Sequence, residues 1–95
     1  MSTLTLKGGA DLDKQELREI AGAKLQEIRK GTGLSIFKVG RAIGVSGGYI
    51  SQIERGVRPP SDAVLIRLAE LYSVEQKELF GLYEKLPDDE VNMIM

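Results

Sequence analysis

The chain has 95 residues, enough for one compact domain and too few for two, and its 42% hydrophobic and 28% charged residues are ordinary globular composition. It holds no cysteine and no histidine, which removes disulfides, thiolate chemistry and the commonest general base and metal ligand, so no enzyme chemistry, cofactor or metal is expected. The formal net charge of −1 hides an uneven distribution, for Lys24 to Arg67 carries eight basic residues against three acidic ones while the flanks carry five against eleven.

Residues 1–12 open with the alternation Thr3-Leu4-Thr5-Leu6 and break at Gly8-Gly9, which reads as a flexible N-terminal arm rather than an unpaired edge strand. The domain proper is expected over residues 13–86. Asp13-Lys14-Gln15-Glu16 has capping-box spacing, and behind it Leu17, Ile20, Ala21, Leu25 and Ile28 recur at three- and four-residue steps. That pattern predicts a first amphipathic helix to about Lys30, ended by Gly31-Thr32-Gly33. Ser35 caps a short second helix with Phe37, Val39, Gly40 and Ile43, closed by Gly44. Ser46 caps a third with Ile50 and Ile53 facing inward, stopped by Gly56 and Pro59-Pro60. Ser61 caps a fourth, carrying Val64, Leu65, Leu68, Ala69, Leu71 and Tyr72. Ser73 and Gln76 have capping-box spacing before a fifth, carrying Leu79, Phe80, Leu82, Tyr83 and Leu86. Residues 87–95 form a tail or a final short helix.

The segment from Leu34 to Gly56 is the most informative. Two short helices joined through Gly44-Val45-Ser46 must cross closely. Gly40 offers a small surface at the crossing, Gly44 takes the left-handed turn and Val45 plugs the corner. Packed on a third helix, such a pair leaves its second member projecting, a shape that suits a major groove about 12 Å wide. The local excess of positive charge suits the same partner, since phosphate contact needs a local field and not a basic protein overall.

The strings Ala42-Ile43-Gly44-Val45-Ser46 and Tyr49-Ile50-Ser51-Gln52-Ile53-Glu54-Arg55-Gly56 resemble the lambda-repressor/Cro-like helix-turn-helix family, the xenobiotic-response-element class of bacterial and phage transcriptional regulators. The resemblance runs from about Leu25 to Leu79. It implies an all-α, compact five-helix lambda-repressor-like DNA-binding domain with a recognition helix starting at Gly47. Carried over by position, it exposes Gly47, Gly48, Tyr49, Ser51, Gln52 and Arg55. Gln52 is then the direct base reader, since an amide bonds adenine bidentately. Ser51 reaches a base edge or a phosphate, and Tyr49 a phosphate or a thymine methyl. Arg55 and Arg58, with Lys38 and Arg41 from the second helix, clamp the DNA backbone. Amides at the start of the second and third helices, the third capped by Ser46, can also bind phosphate.

Two departures stand out. Where the family usually has glutamine at the start of the second helix this chain has Ile36, and the first two recognition positions are glycines. Either specificity is low, or it comes from Gln52, Tyr49, the arm and DNA shape. Alternatively, an exposed Ile36 marks a protein contact.

Arg29 and Glu54 are expected to pair between the first and third helices. Asp88-Asp89-Glu90 reads as a helix N-terminus favoured by its dipole rather than a metal site. Phe80, Leu82, Tyr83, Leu86, Val91, Met93, Ile94 and Met95 exceed what one small core needs, so they divide between core packing and a dimer contact.

No apolar run approaches the roughly 20 residues that span a bilayer, and the N-terminus lacks a signal-peptide layout, so a cytoplasmic protein without membrane association is expected. The sequence therefore points to a homodimeric regulator that binds double-stranded DNA at a palindromic operator, acts as a repressor and carries no sensor domain. The rival reading is a protein-interaction module on the same fold, such as an antitoxin or an adaptor.

Overall fold

The computed structural model describes residues 13–84, which form five α-helices: α1 (Lys14–Thr32), α2 (Ile36–Ile43), α3 (Gly47–Glu54), α4 (Asp62–Tyr72) and α5 (Gln76–Leu82). Each of the first four begins on a capping side chain. Asp13 Oδ1 accepts from the Glu16 amide at 2.7 Å and the Asp13 amide donates back to Glu16 Oε1 at 3.2 Å, completing the expected capping box. Ser35, Ser46 and Ser61 accept in turn from the Lys38, Tyr49 and Val64 amides. Such caps are worth about 1 kcal/mol each, which matters for helices of eight residues that would not persist alone.

The core is a single cluster drawn from all five helices, with Leu25, Val39, Ile53, Leu65 and Leu79 its largest fully buried side chains. Burying each such side chain contributes about 1.5–3 kcal/mol. Val39 and Ile43 of α2 and Ile50 and Ile53 of α3 belong to this cluster, and their burial fixes which face of each helix points outward.

Several expectations need correction. Helix α1 runs to Thr32, with Gly31 inside it and Gly33 as its cap. Its buried face is Ala21, Gly22 and Leu25, which leaves Ile20 on the opposite side, 56% exposed. Ser73 opens no helix. It closes α4 in a left-handed conformation at φ 59, and α5 starts after Glu75 without a side-chain cap. Phe80 and Tyr83 are buried in the core and Leu82 packs partly against it, so core packing accounts for this part of the supposed surplus of apolar surface. The expected arm over 1–12, Leu86, Asp88-Asp89-Glu90 and the tail over 87–95 lie outside the described residues.

Candidate nucleic-acid interface

The α2–α3 pair is built around two glycines. The Gly44 and Val45 amides both donate to the Gly40 carbonyl at 2.8 Å, and Gly44 adopts φ 86, where a side chain would cost about 1 kcal/mol. A Cβ on Gly40 would lie 2.5 Å from the Val45 carbonyl oxygen, so the helices cross as closely as the backbone permits. Val45 is half-buried against the core, filling the corner as its position predicts.

Helix α1 holds this pair from behind. Arg29 donates from Nε to Glu54 Oε2 at 2.7 Å and from a second nitrogen to Glu54 Oε1 at 3.1 Å, while its third nitrogen reaches the Leu34 carbonyl at 2.9 Å. One guanidinium thus joins α1, the α1–α2 loop and the C-terminal end of α3, and the bond to Glu54 raises the Arg29 pKa. The expected Arg29–Glu54 pair is present, and its side chains are only 12% and 3% exposed.

Two glycines set close approaches to α1 that the sequence does not show. A Cβ on Gly22 would meet the Ile53 carbonyl oxygen and lie 2.6 Å from that of Glu54. A Cβ on Gly56, at φ 80, would lie 2.7 Å from Glu19 Cα. Gln15 adds a hydrogen bond from Nε2 to the Gly56 carbonyl at 3.2 Å. Only glycine at positions 22 and 56 lets α3 and the turn after it lie flat on α1; Gly56 shows in the sequence as the stop after α3, whereas nothing short of a tertiary contact marks Gly22.

The outward side of α3 carries the predicted reading residues in coupled pairs. Arg55 Nε donates to Ser51 Oγ at 3.2 Å, and the Arg58 guanidinium carbon lies 5.1 Å from the centre of the Tyr49 ring. Arg55 and Arg58 are exposed, whereas Tyr49, Ser51 and Gln52 are half-buried rather than fully exposed. Ser46 is exposed at the cap, and Lys38 and Arg41 are exposed on α2.

The first turn of α3 differs most from expectation. Ile36 is half-buried against the core and is not the exposed residue anticipated there. Phe37 takes the exposed place instead, at 65%, and its ring lies over Gly47: a Cβ at position 47 would fall 2.6 Å from the ring's Cδ1. Gly48 faces open space, with only Ser46 Oγ within 4 Å of a Cβ placed there. Ile36, Val39, Gly40 and Ile43 follow the i, i+3, i+4, i+7 spacing of one helical face, and that register already leaves Phe37 off the core.

Behind α3 the Tyr72 phenol is pushed up to about 12, first by burial and then by the charge of Glu54, with Arg29 opposing. Burial also raises the Tyr83 phenol, whose hydroxyl has no hydrogen-bond partner among the described residues. No helix among the described residues is long and apolar enough to cross a membrane, and no group of acidic side chains among them is arranged to hold a metal ion.

Comparison with known proteins places this arrangement. A family model described as a helix-turn-helix domain matches residues 20–79. Over 54 residues the chain is 33% identical to the HTH-type transcriptional regulator RamB of Mycobacterium tuberculosis, a match covering 57% of this chain and 11% of RamB. It is 31% identical over 72 residues to an uncharacterized HTH-type transcriptional regulator, y4dJ, of Sinorhizobium fredii, covering 76% of this chain and 94% of that protein. Among solved structures, the clp gene regulator ClgR from C. glutamicum superposes with a TM-score of 0.62 at 28% identity, over 70% of this chain and 87% of that one.

Proposed function

The chain belongs to a helix-turn-helix family of DNA-binding transcriptional regulators, and from that premise we propose that it reads double-stranded DNA by laying α3 in the major groove. In this reading Gln52 bonds a base edge, Tyr49 and Ser51 contact bases or phosphates, and Lys38, Arg41, Arg55 and Arg58 hold the backbone. The amides of the first turns of α2 and α3, the latter capped by Ser46, bind phosphate, and Gly47 and Gly48 present bare backbone to the groove. Residues 13–86 constitute the binding unit, with 1–12 as an arm and 87–95 as a dimer contact.

The observation that carries the reading is the way α3 is held. A bidentate ion pair at one end, a Gly40 crossing at the other and a glycine bed on α1 fix the helix, while its outer side carries paired polar and cationic groups. A rigid helix with adaptable polar contacts suits sequence-dependent recognition, because positioning costs nothing at the moment of binding. The protein acts as a homodimeric repressor on a palindromic operator, its two α3 helices separated by about 34 Å, one turn of DNA.

A second reading has one observation in its favour. Exposed Phe37 beside two bare glycines suits a protein contact as well as a nucleic acid, as in an adaptor or antitoxin on the same fold. Selection of bound sequences from a random duplex pool separates the two. Enrichment of a symmetric site supports the homodimeric regulator, and recovery of unenriched sequence supports the adaptor.

A further inference from the structure

We propose that Phe37, together with the bare backbone of Gly47 and Gly48, forms an apolar notch that receives the 5-methyl group of a thymine in the major groove. This deepens the DNA-binding reading above and rests on it.

Phe37 is the most exposed large hydrophobic side chain among the described residues. It is not a loosely placed surface residue. Its ring lies against Gly47, the first residue of α3, so closely that a methyl group at position 47 would overlap Cδ1 and crowd Cε1. The ring therefore packs directly on the Gly47 backbone, and the two form one apolar surface with no side chain between them. Gly48 adds open, bare backbone beside that surface, since nothing but Ser46 Oγ comes within 4 Å of the place its Cβ would take. This surface lies at the N-terminal end of α3, with Lys38 exposed on the neighbouring residue of α2 and Tyr49 following on α3.

With α3 laid in the major groove, the chemistry of the groove names the occupant. An aromatic ring gains nothing from phosphate, and the base edges in the major groove offer a single apolar group, the thymine methyl. Glycine at 47 and 48 removes side-chain readers but lets the DNA approach the backbone more closely. A ring standing beside that bare backbone restores contact by shape and apolar area instead of hydrogen bonds. Base reading is thus moved from the first turn of α3 to the second residue of α2.

The test compares the full chain with Phe37→Ala on its selected duplex site, with each thymine replaced in turn by uracil, which lacks only the methyl. One position per half-site is expected to lose about fourfold in wild-type affinity, the worth of one methyl removed from water. Phe37→Ala should bind thymine and uracil equally at that position while keeping the salt dependence of wild type, because the ring touches no phosphate. Gly47→Ala, which displaces the ring without deleting it, should lose the same discrimination.

Undiminished wild-type binding with uracil at every position overturns the notch while leaving the DNA-binding reading intact. So does equal uracil sensitivity in wild type and Phe37→Ala. Loss of a protein partner in Phe37→Ala with unchanged base discrimination also overturns it and assigns the ring to a protein contact. Absence of any salt-sensitive duplex binding by wild type overturns both readings.

Discussion

Arg29 and Glu54 meet side-on across the α1–α3 interface, at 2.7 and 3.1 Å, in a site where both are largely withdrawn from water. The pair fixes where the C-terminal end of α3 sits on α1, and a third hydrogen bond to Leu34 ties in the loop before α2.

Removing one partner strands the other. Arg29→Ala or Glu54→Ala is expected to lower stability by about 3–5 kcal/mol in urea denaturation, because an uncompensated charge remains buried. The double variant should cost less than the sum of the two singles. Additive losses would show that the groups act independently.

Gly22 should be intolerant although it lies mid-helix. Alanine there gains up to about 1 kcal/mol of helix propensity, yet its methyl would enter the Ile53 and Glu54 carbonyls. A net loss of about 1–3 kcal/mol is expected, as for other overpacked contacts. A stabilised Gly22→Ala would mean that α3 lies farther from α1 than the structure places it.

Gly47 and Phe37 should be energetically coupled. In a Phe37→Ala background, Gly47→Ala at the first position of α3 should be neutral to mildly stabilising, while in wild type the ring its methyl meets should make it destabilising. The thermodynamic cycle measured by urea denaturation gives the coupling, and an equal effect in both backgrounds would mean that the ring does not pack against Gly47.

The helices and the turn were legible from residues, and so was the inward side of α3 at Ile50 and Ile53. Capping side chains at Asp13, Ser35, Ser46 and Ser61 and the Gly40–Gly44 spacing are local signals, readable without a partner helix. Ser73 misled for a physical reason: serine is as suited to a tight turn as to a cap, and here it is spent closing α4. The places of Gly22, Gly56 and Phe37 depend on what lies across from them, which periodicity does not encode. Glycine and an apolar ring look alike in sequence whether they serve the core or a contact surface.

Alkaline pH should unfold the protein through its buried phenols. Unfolded tyrosines ionise near pH 10, whereas Tyr72 holds its proton to about 12 and Tyr83 is shifted the same way. Between those values the unfolded state binds fewer protons, so stability is full below about pH 10 and falls as pH rises, by about 1.4 kcal/mol per unit for each phenol. Tyr72→Phe should flatten that decline. Tyr83→Phe removes a hydroxyl buried without a partner among the described residues, so neutral pH should show no loss of stability.

The roles assigned along α3 differ in how they should fail. Gln52→Ala is expected to relax preference at one base position, at about 1–3 kcal/mol of discrimination. Arg58→Ala should weaken all sequences alike and also release the Tyr49 ring it covers.

The most direct test of α3 as the DNA-reading helix is the affinity of the full chain for its selected duplex between 50 and 200 mM salt, for wild type and Arg55→Ala. A linear fall of log affinity with log salt is expected, its slope smaller by about one in Arg55→Ala as one phosphate contact is lost. Binding that ignores salt, or an Arg55→Ala slope identical to wild type, would contradict the assignment.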